Sequence, residues 1–137
     1  MGDGFYTYSF EKLEVWQAAR IYKKTVYQIT GSFPKEELFG LTSQIRRSAG
    51  SIISNLAEGS GRASDKDKAH FTNIAYTSAL ETIDHIITAL DMKFISKETY
   101  IDSRKSLDEI INKLNALYKY QIGRKSNLKN FIPVKEE

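Results

Sequence analysis

The side chains best suited to acid–base or metal chemistry are two histidines, His70 and His85, because this 137-residue chain has no cysteine. Both fall in one segment of helical periodicity. Glu81 lies one helical turn before His85, and Asp84 is adjacent to it, so the three could supply half of a carboxylate–histidine metal site. The sequence offers no second half. A surface pair or a polar core contact explains the same residues, and we expect no metal and no cofactor.

Nucleophilic catalysis is the next chemistry to consider, because the chain is rich in serine. A hydrolytic serine needs a base and an orienting acid, and it often sits on a turn between a strand and a helix. No serine here has that setting. The string Gly59-Ser60-Gly61-Arg62 suggests a phosphate loop, but a dinucleotide loop follows a strand and this string follows a helical segment. We therefore predict no catalytic residues and no enzymatic activity.

Arginines near the middle of the chain suggest the binding of phosphate. Arg46 and Arg47 lie on a predicted helix and Arg62 in the turn after it, and a planar guanidinium suits phosphate oxygens. The turn 61–64, at the start of the next helix, could add backbone amides. Salt bridges, from Arg62 to Glu58 or from Arg47 to another subunit, are the alternative. The predicted nucleic-acid-binding residues are Arg46, Arg47, Arg62, Lys23, Lys24, Arg124 and Lys125.

The composition is that of one mildly basic domain. A formal net charge of +3 and a pI near 9.0 permit nucleic-acid binding without requiring it, and the lysines of the first helix could equally form a solvated face. The first residues lack the basic and apolar regions of a secretory leader. No apolar run approaches the roughly 20 residues of a membrane span. We expect a soluble, cytoplasmic protein that does not associate with membranes.

Hydrophobic periodicity and helix-stop signals predict an all-α chain of four helices. They run over 10–30, from the turn at Pro34 to residue 58, over 64–93 and over 97–122. Ser9, Ser64 and Ser96 are placed as N-caps, and Gly59 as a left-handed residue just past the second helix. The short connections favour an antiparallel up-down-up-down bundle. Residues 1–9 are predicted to form an N-terminal arm, 10–122 the bundle domain and 123–137 a basic C-terminal tail.

The second helix carries an unusual row of small residues opposite its apolar stripe. A solvated helix face normally carries long charged side chains, and a glycine inside a helix costs about 1 kcal/mol relative to alanine. The row therefore favours a second packing face against another subunit, although a plain short-side-chain surface is the alternative. Trp16 is predicted to be a core or interface anchor rather than a platform for bases. The predicted oligomer-interface residues are Ser43, Gly50, Ser51, Ser54 and Trp16.

Two segments, QIRRSAGSIISNLAEGSGR and DKAHFTNIAYTSALETI, closely resemble the bacterial four-helix bundle family, also called the S23 or 23S rRNA intervening-sequence protein family. The resemblance covers roughly 10–120. One departure is Thr77-Ser78, where family members often have Gly-Ser. The resemblance implies an antiparallel four-helix bundle that assembles into a ring-like homo-oligomer, a pentamer. The family's name reflects reading frames inside inserts of the large-subunit rRNA gene, and its molecular function is poorly defined.

Two hypotheses for function follow. The first is a non-catalytic adaptor that binds RNA, or DNA, through phosphates, because a ring would repeat each modest basic patch around its axis. The same bundle architecture is used by accessory proteins of diversity-generating retroelements, which work with reverse transcriptase and RNA. The second is a protein–protein scaffold without nucleic-acid binding. Salt dependence separates them, since phosphate binding weakens steeply with salt and an apolar interface does not.

Overall fold

The computed structural model describes residues 3–123 of the chain. Within them the chain forms four α-helices, namely α1 (Glu14–Thr30), α2 (Leu41–Ser60), α3 (Asp65–Asp91) and α4 (Lys97–Gln121). Short 3-10 helices precede α1 (Ser9–Lys12) and α2 (Lys35–Glu37), and no strand occurs among the described residues. The predicted all-α class is therefore confirmed. The predicted basic tail lies outside the described residues from position 124 onward.

The core is one apolar cluster with side chains from all four helices. The helices α1 and α3 each pack against both α2 and α4, so every helix buries the side that faces two neighbours. The large, fully buried aliphatic side chains are Val26, Ile45, Ile52, Ile86, Leu107, Ile110 and Leu114. Burying such a side chain contributes about 1.5–3 kcal/mol, so this cluster is the main source of stability.

Small hydroxyl residues let α2 and α3 approach closely. Ser48 and Thr82 are buried and share a hydrogen bond of 2.8 Å, and Ser51 and Ser78 share another of 2.8 Å. Because each hydroxyl has a partner, its burial avoids the cost of an unmet hydrogen bond. Thr77, where the sequence departs from the resembling family's glycine, is exposed. The departure therefore leaves this helix contact intact.

The start of α1 differs from the prediction. Residues 9–12 form a 3-10 helix, Leu13 is extended, and α1 begins at Glu14 rather than at residue 10. The predicted cap, Ser9, lies inside the 3-10 helix. The backbone N–H of Tyr8 instead donates to a carboxylate oxygen of Glu11 at 2.8 Å. This turn fixes the N-terminal arm against the beginning of the bundle.

Both ends of α2 also differ from the prediction. The helix does not start at the Pro34 turn but at Leu41, whose N–H donates to Oε1 of Glu37 at 3.0 Å. Gly59 was predicted to end the helix in a left-handed conformation, which is wrong, because it is buried within α2. A Cβ at this position would lie 2.7 Å from Cβ of Phe71 on α3. The close helix contact, not a turn, therefore requires glycine here.

The predicted starts of α3 and α4 are confirmed. Ser64 Oγ accepts the N–H of Asp67 at 3.1 Å, and Ser96 Oγ accepts the N–H of Thr99 at 3.1 Å. Each bond satisfies one of the amides that a helix start leaves free. Gly123, with φ of +82°, follows the end of α4.

A buried polar contact joins α1 to α4. The hydroxyls of Tyr22 and Ser103 lie 2.5 Å apart and are both buried. Burial raises the pKa of Tyr22 to about 12, although the hydrogen bond to Ser103 lowers it somewhat. Nearer the arm, Lys113 Nζ contacts Glu14 Oε1 at 3.2 Å. The two contacts set the alignment of these helices.

Candidate nucleic-acid interface

Four cationic side chains lie on α1 and on the side of α2 that packs against α1, namely Arg20, Lys23, Lys24 and Arg46. We call them the basic face. None of them has a carboxylate within 4.0 Å in the part of the chain that the structure describes. The sequence has no aspartate or glutamate over 15–30 or 41–57. The face therefore carries cations that form no direct ion pair with an acid of the described residues.

Arg46 is held rigidly in the seam between α1 and α2. Its Nε donates to Thr30 Oγ1 at 2.9 Å, and its guanidinium carbon lies 4.4 Å from the ring centroid of Tyr27. Thr30 in turn donates to the carbonyl of Val26 at 2.7 Å. An arginine stacked on an aromatic ring keeps its charge and loses freedom. Arg46 is thus a fixed positive charge at one end of the basic face.

The other three cations are positioned by α1. Arg20 lies over the ring of Trp16, with 5.5 Å from its guanidinium carbon to the centroid. Lys24 is exposed, and Lys23 is half-buried beside α2. A Cβ built on Gly50 would be 3.8 Å from Lys23 Cε. The aliphatic part of the Lys23 side chain therefore crosses the surface of α2 at Gly50. Together the cations form a strip along the outside of α1.

Arg47 belongs to a different contact. Its side chain forms an ion pair with Glu81 on α3 and donates to Gln44 Oε1 at 3.1 Å. Adjacent residues on a helix point about 100° apart, which is why Arg46 turns toward α1 and Arg47 toward α3. The alternative considered for Arg47 was a salt bridge to another subunit, but the ion pair that the structure shows lies within the chain, with Glu81. Its charge is neutralised, so it adds little to the basic face.

Arg62 lies at the far end of α2, roughly 24 Å from Arg46 along the axis at 1.5 Å per residue. It stacks over Phe71 at 4.5 Å and approaches Glu58 at 4.0 Å. The first turn of α3 carries two acids, Asp65 and Asp67. Their carboxylates oppose an anion at the predicted turn 61–64. The structure therefore does not bring the three predicted arginines together, and Arg124 and Lys125 lie outside the described residues.

The residues predicted to form an oligomer interface divide into two groups. Ser43 and Ser54 are exposed on α2, and Gly50 beside them contacts only the Lys23 stem. Ser51, by contrast, uses its hydroxyl within the chain, where it pairs with Ser78 of α3. The small side chain of Ser51 is thus explained by a contact within the protomer. Ser43, Gly50 and Ser54 remain accessible to another copy.

Trp16 anchors the arm to α1. Its ring meets Phe10 edge-on, with 5.1 Å between centroids, and supports Arg20 on its face. The indole Nε1 is buried and has no hydrogen-bond partner in the described part of the chain. Trp16 is therefore a packing anchor at the base of the basic face.

The carboxylate–histidine group on α3 is part of the contact with α2. His85 Nε2 lies 3.3 Å from Glu81 Oε2, the same oxygen that faces Arg47, and Asp84 is 4.0 Å from the other ring nitrogen. No group of three or more metal-binding side chains is assembled within residues 3–123. The polar contact considered as the alternative to a metal site describes these residues.

Sequence reasoning missed two parts of the site. Arg20 was not among the predicted binding residues, and Tyr27 was not considered as a support for Arg46. A count of acids along each segment would have found the basic face, because α1 and α2 lack them over 15–30 and 41–57. No local pattern identifies the Tyr27–Arg46 stack, since it joins residues on different helices.

The fold and the basic face define a small helical-bundle protein with one unneutralised cationic side. The chain belongs to the 23S rRNA-intervening sequence protein family, whose model matches residues 11–116. This confirms the family that the sequence resembles.

A solved structure supports the fold. The chain is similar to a crystal structure of a protein of unknown function from the S23 ribosomal protein family of Bacteroides thetaiotaomicron. The two share a TM-score of 0.69 at 24% identity, and the similarity covers 77% of this chain and 98% of that one. No curated protein matches the chain. None of the described helices is long and apolar enough to cross a membrane.

Proposed function

We propose that this protein is a non-catalytic, cytoplasmic adaptor that associates with RNA by binding phosphates on its basic face. The observation that carries the proposal is that Arg20, Lys23, Lys24 and Arg46 form no ion pair with a carboxylate among the described residues. Unpaired cations bind a polyanion by releasing its counterions, whereas cations already paired with carboxylates contribute less binding free energy.

The proposed architecture is an antiparallel up-down-up-down bundle. Contacts between the late part of α1 and the early part of α2, such as Thr30 with Arg46, support it. Contacts between the start of α1 and the late part of α4, such as Glu14 with Lys113, support it as well. In this order the basic face occupies one long side of the molecule.

We further propose that the chain forms a ring-like homo-oligomer, a pentamer. Leu80 and Ile87 are exposed along α3, and the small residues Ser43, Gly50 and Ser54 are accessible along α2. Exposed apolar side chains on a helix are candidates for burial against another copy. A ring would repeat the basic face around its axis, so that weak phosphate contacts act together.

The test is a titration with RNA at about 50 and 200 mM salt. Lys23→Gln/Lys24→Gln should weaken binding roughly tenfold at low salt and flatten the log–log salt slope by about one per lysine removed. The matched control is Lys97→Gln/Lys105→Gln, which removes two exposed lysines from α4, where acids such as Asp102 and Asp108 are interspersed. Equal losses in both variants would indicate a response to net charge and contradict the basic face.

A protein–protein scaffold is the second candidate, and a specific observation favours it. Phe39, in the connection between α1 and α2, is 91% exposed, and the adjacent Leu38 is half-exposed. An exposed aromatic beside a leucine suits an apolar protein contact. Absence of RNA binding at low salt, together with an unchanged oligomer, would favour this candidate over the adaptor.

A further inference from the structure

The N-terminal arm presents aromatic rings to solvent. Phe5, Tyr6 and Tyr8 are 71%, 72% and 60% exposed, and the rings of Tyr6 and Tyr8 meet edge-on with 5.0 Å between centroids. Exposed aromatic groups of this size are unusual on a surface that contacts only water. Their clustering on one short segment suits the binding of a ligand with flat, partly apolar groups.

The arm is anchored rather than loosely attached. The Tyr8 N–H donates to the Glu11 carboxylate at 2.8 Å, and the Gln17 side chain donates to the Glu11 carbonyl at 2.9 Å. Phe10 packs against Trp16 at the first turns of α1. The backbone at Tyr8 is therefore fixed beside the start of α1 before any ligand binds, which lowers the entropic cost of ordering the tyrosine-bearing segment.

An open groove of about 610 Å³ lies between the arm and α1. Its volume is within the usual range for ligand sites. Two of the four cations of the basic face line it, and the carboxylate of Glu11, which also lines it, is engaged by the Tyr8 amide. The lining residues are Thr7, Glu11, Trp16, Gln17, Arg20, Ile21 and Lys24.

We propose that the groove and the arm bind a single-stranded nucleic-acid segment. Tyr6 and Tyr8 stack on its bases, while Arg20 and Lys24 bind its phosphates. This inference rests on the proposed function and deepens it, because it specifies that the protein binds single-stranded rather than double-stranded nucleic acid. Thr7, which lies between the two tyrosines in the chain, lines the groove, so Tyr6 and Tyr8 flank it at the edge. Aromatic rings beside a positively charged groove are the combination that binds single strands without reading sequence.

The distinction from a duplex follows from the geometry of bases. In a double helix the bases are stacked on each other and their faces are closed to side chains, so a protein contacts mainly phosphates and sugars. Exposed tyrosines gain nothing from such a ligand. The unpaired bases of a single strand can turn onto aromatic rings.

The test compares an unstructured RNA oligomer with a duplex RNA of the same phosphate number at one salt concentration. Tyr6→Leu/Tyr8→Leu keeps the charge and removes only the rings. It should weaken binding of the single strand by roughly tenfold or more and leave duplex binding unchanged. The matched control is Phe39→Leu, an exposed aromatic in the connection between α1 and α2. It should change neither affinity.

The outcomes separate this inference from the proposed function. If both RNAs bind the wild type equally and the tyrosine variant matches it, the protein binds phosphates but the stacking site is refuted. If neither RNA binds, the proposed function fails as well. If the tyrosine variant loses mass in light scattering, the arm is an interface between copies and the inference is overturned. A DNA oligomer with the same tyrosine dependence would support it, because stacking does not use the 2′-hydroxyl.

Discussion

Two glycines on α2 perform opposite roles although both lie inside one helix. Gly59 is buried against α3, where an added Cβ would meet Phe71 Cβ at 2.7 Å. Gly50 faces outward, and an added Cβ would meet only the end of the Lys23 stem at 3.8 Å, an ordinary contact. Within one protomer, therefore, packing requires the first glycine and nothing requires the second.

Alanine substitutions at the two positions should change stability in opposite directions. Gly59→Ala should lower the free energy of unfolding by about 1–3 kcal/mol, because the strain of overpacking exceeds the gain in helix propensity. Gly50→Ala should raise it by about 0.5–1 kcal/mol, because alanine restricts the unfolded chain and fits the site. Urea unfolding at equal protein concentrations measures both. Destabilisation by Gly50→Ala would place another surface close to Gly50.

The arginines show where prediction from sequence stops at the scale of single residues. Arg46 and Arg47 were both predicted to bind phosphate, and both lie on α2 as expected. Their partners are Tyr27 on α1 and Glu81 on α3. Helical periodicity gives the angle between two neighbours but not which helix packs on each side. Only the fold therefore shows that Arg47 is paired with a carboxylate and that Arg46 is not.

At the scale of elements, α1 and α4 are joined by a hydrogen bond that depends on pH. Tyr22 has a folded-state pKa of about 12 against an ordinary value of 10.0, because burial disfavours its charged form. Below pH 10 both states keep the proton and the contribution is fully present. Above it the unfolded chain loses its proton first, so the unfolded state binds fewer protons and stability falls as pH rises toward the folded pKa.

Wild-type protein should consequently lose more stability in alkali than Tyr22→Phe. The variant should lose about 1 kcal/mol at neutral pH, because the Ser103 hydroxyl loses its partner. Between about pH 9 and 11.5 this gap should narrow or reverse, since one pKa unit corresponds to about 1.4 kcal/mol. Burial also raises the pKa of Tyr76, which affects both proteins equally. If the free energies of unfolding of wild type and Tyr22→Phe change in parallel over this pH range, Tyr22 is not the source of the pH dependence.

Helix existence and type followed from the sequence, while several boundaries did not. Ser64 and Ser96 cap helices because the bond from an N-cap is local, with its partner three residues on. Gly59 was misplaced because a helix-ending glycine and a glycine under a neighbouring helix have the same local signature. The second helix was predicted to run from the turn at Pro34, yet Leu38 lies before α2 and is half-exposed. Contacts between elements decided these cases.

Across the whole molecule, charge is separated by helix. The basic face lies on α1 and α2, whereas α3 carries mostly acids, which are Asp65, Asp67, Glu81, Asp84 and Asp91, against Lys66 and Lys68. The net charge of +3 conceals this separation. A polyanion should therefore approach from the side of α1, because the side of α3 repels it.

The proposed assembly can be tested at the position that the protomer itself leaves open. Gly50→Leu should disrupt the homo-oligomer while far-UV circular dichroism stays nearly unchanged, because the protomer offers only the flexible Lys23 stem near that site. Any loss of mass in light scattering would then arise from contact with another copy. Ala116→Leu adds similar bulk to an exposed position on α4 and should preserve the mass. If Gly50→Leu keeps the wild-type mass, the small row of α2 faces solvent in the assembly. A ring would then have to assemble through another surface, such as the exposed apolar residues of α3.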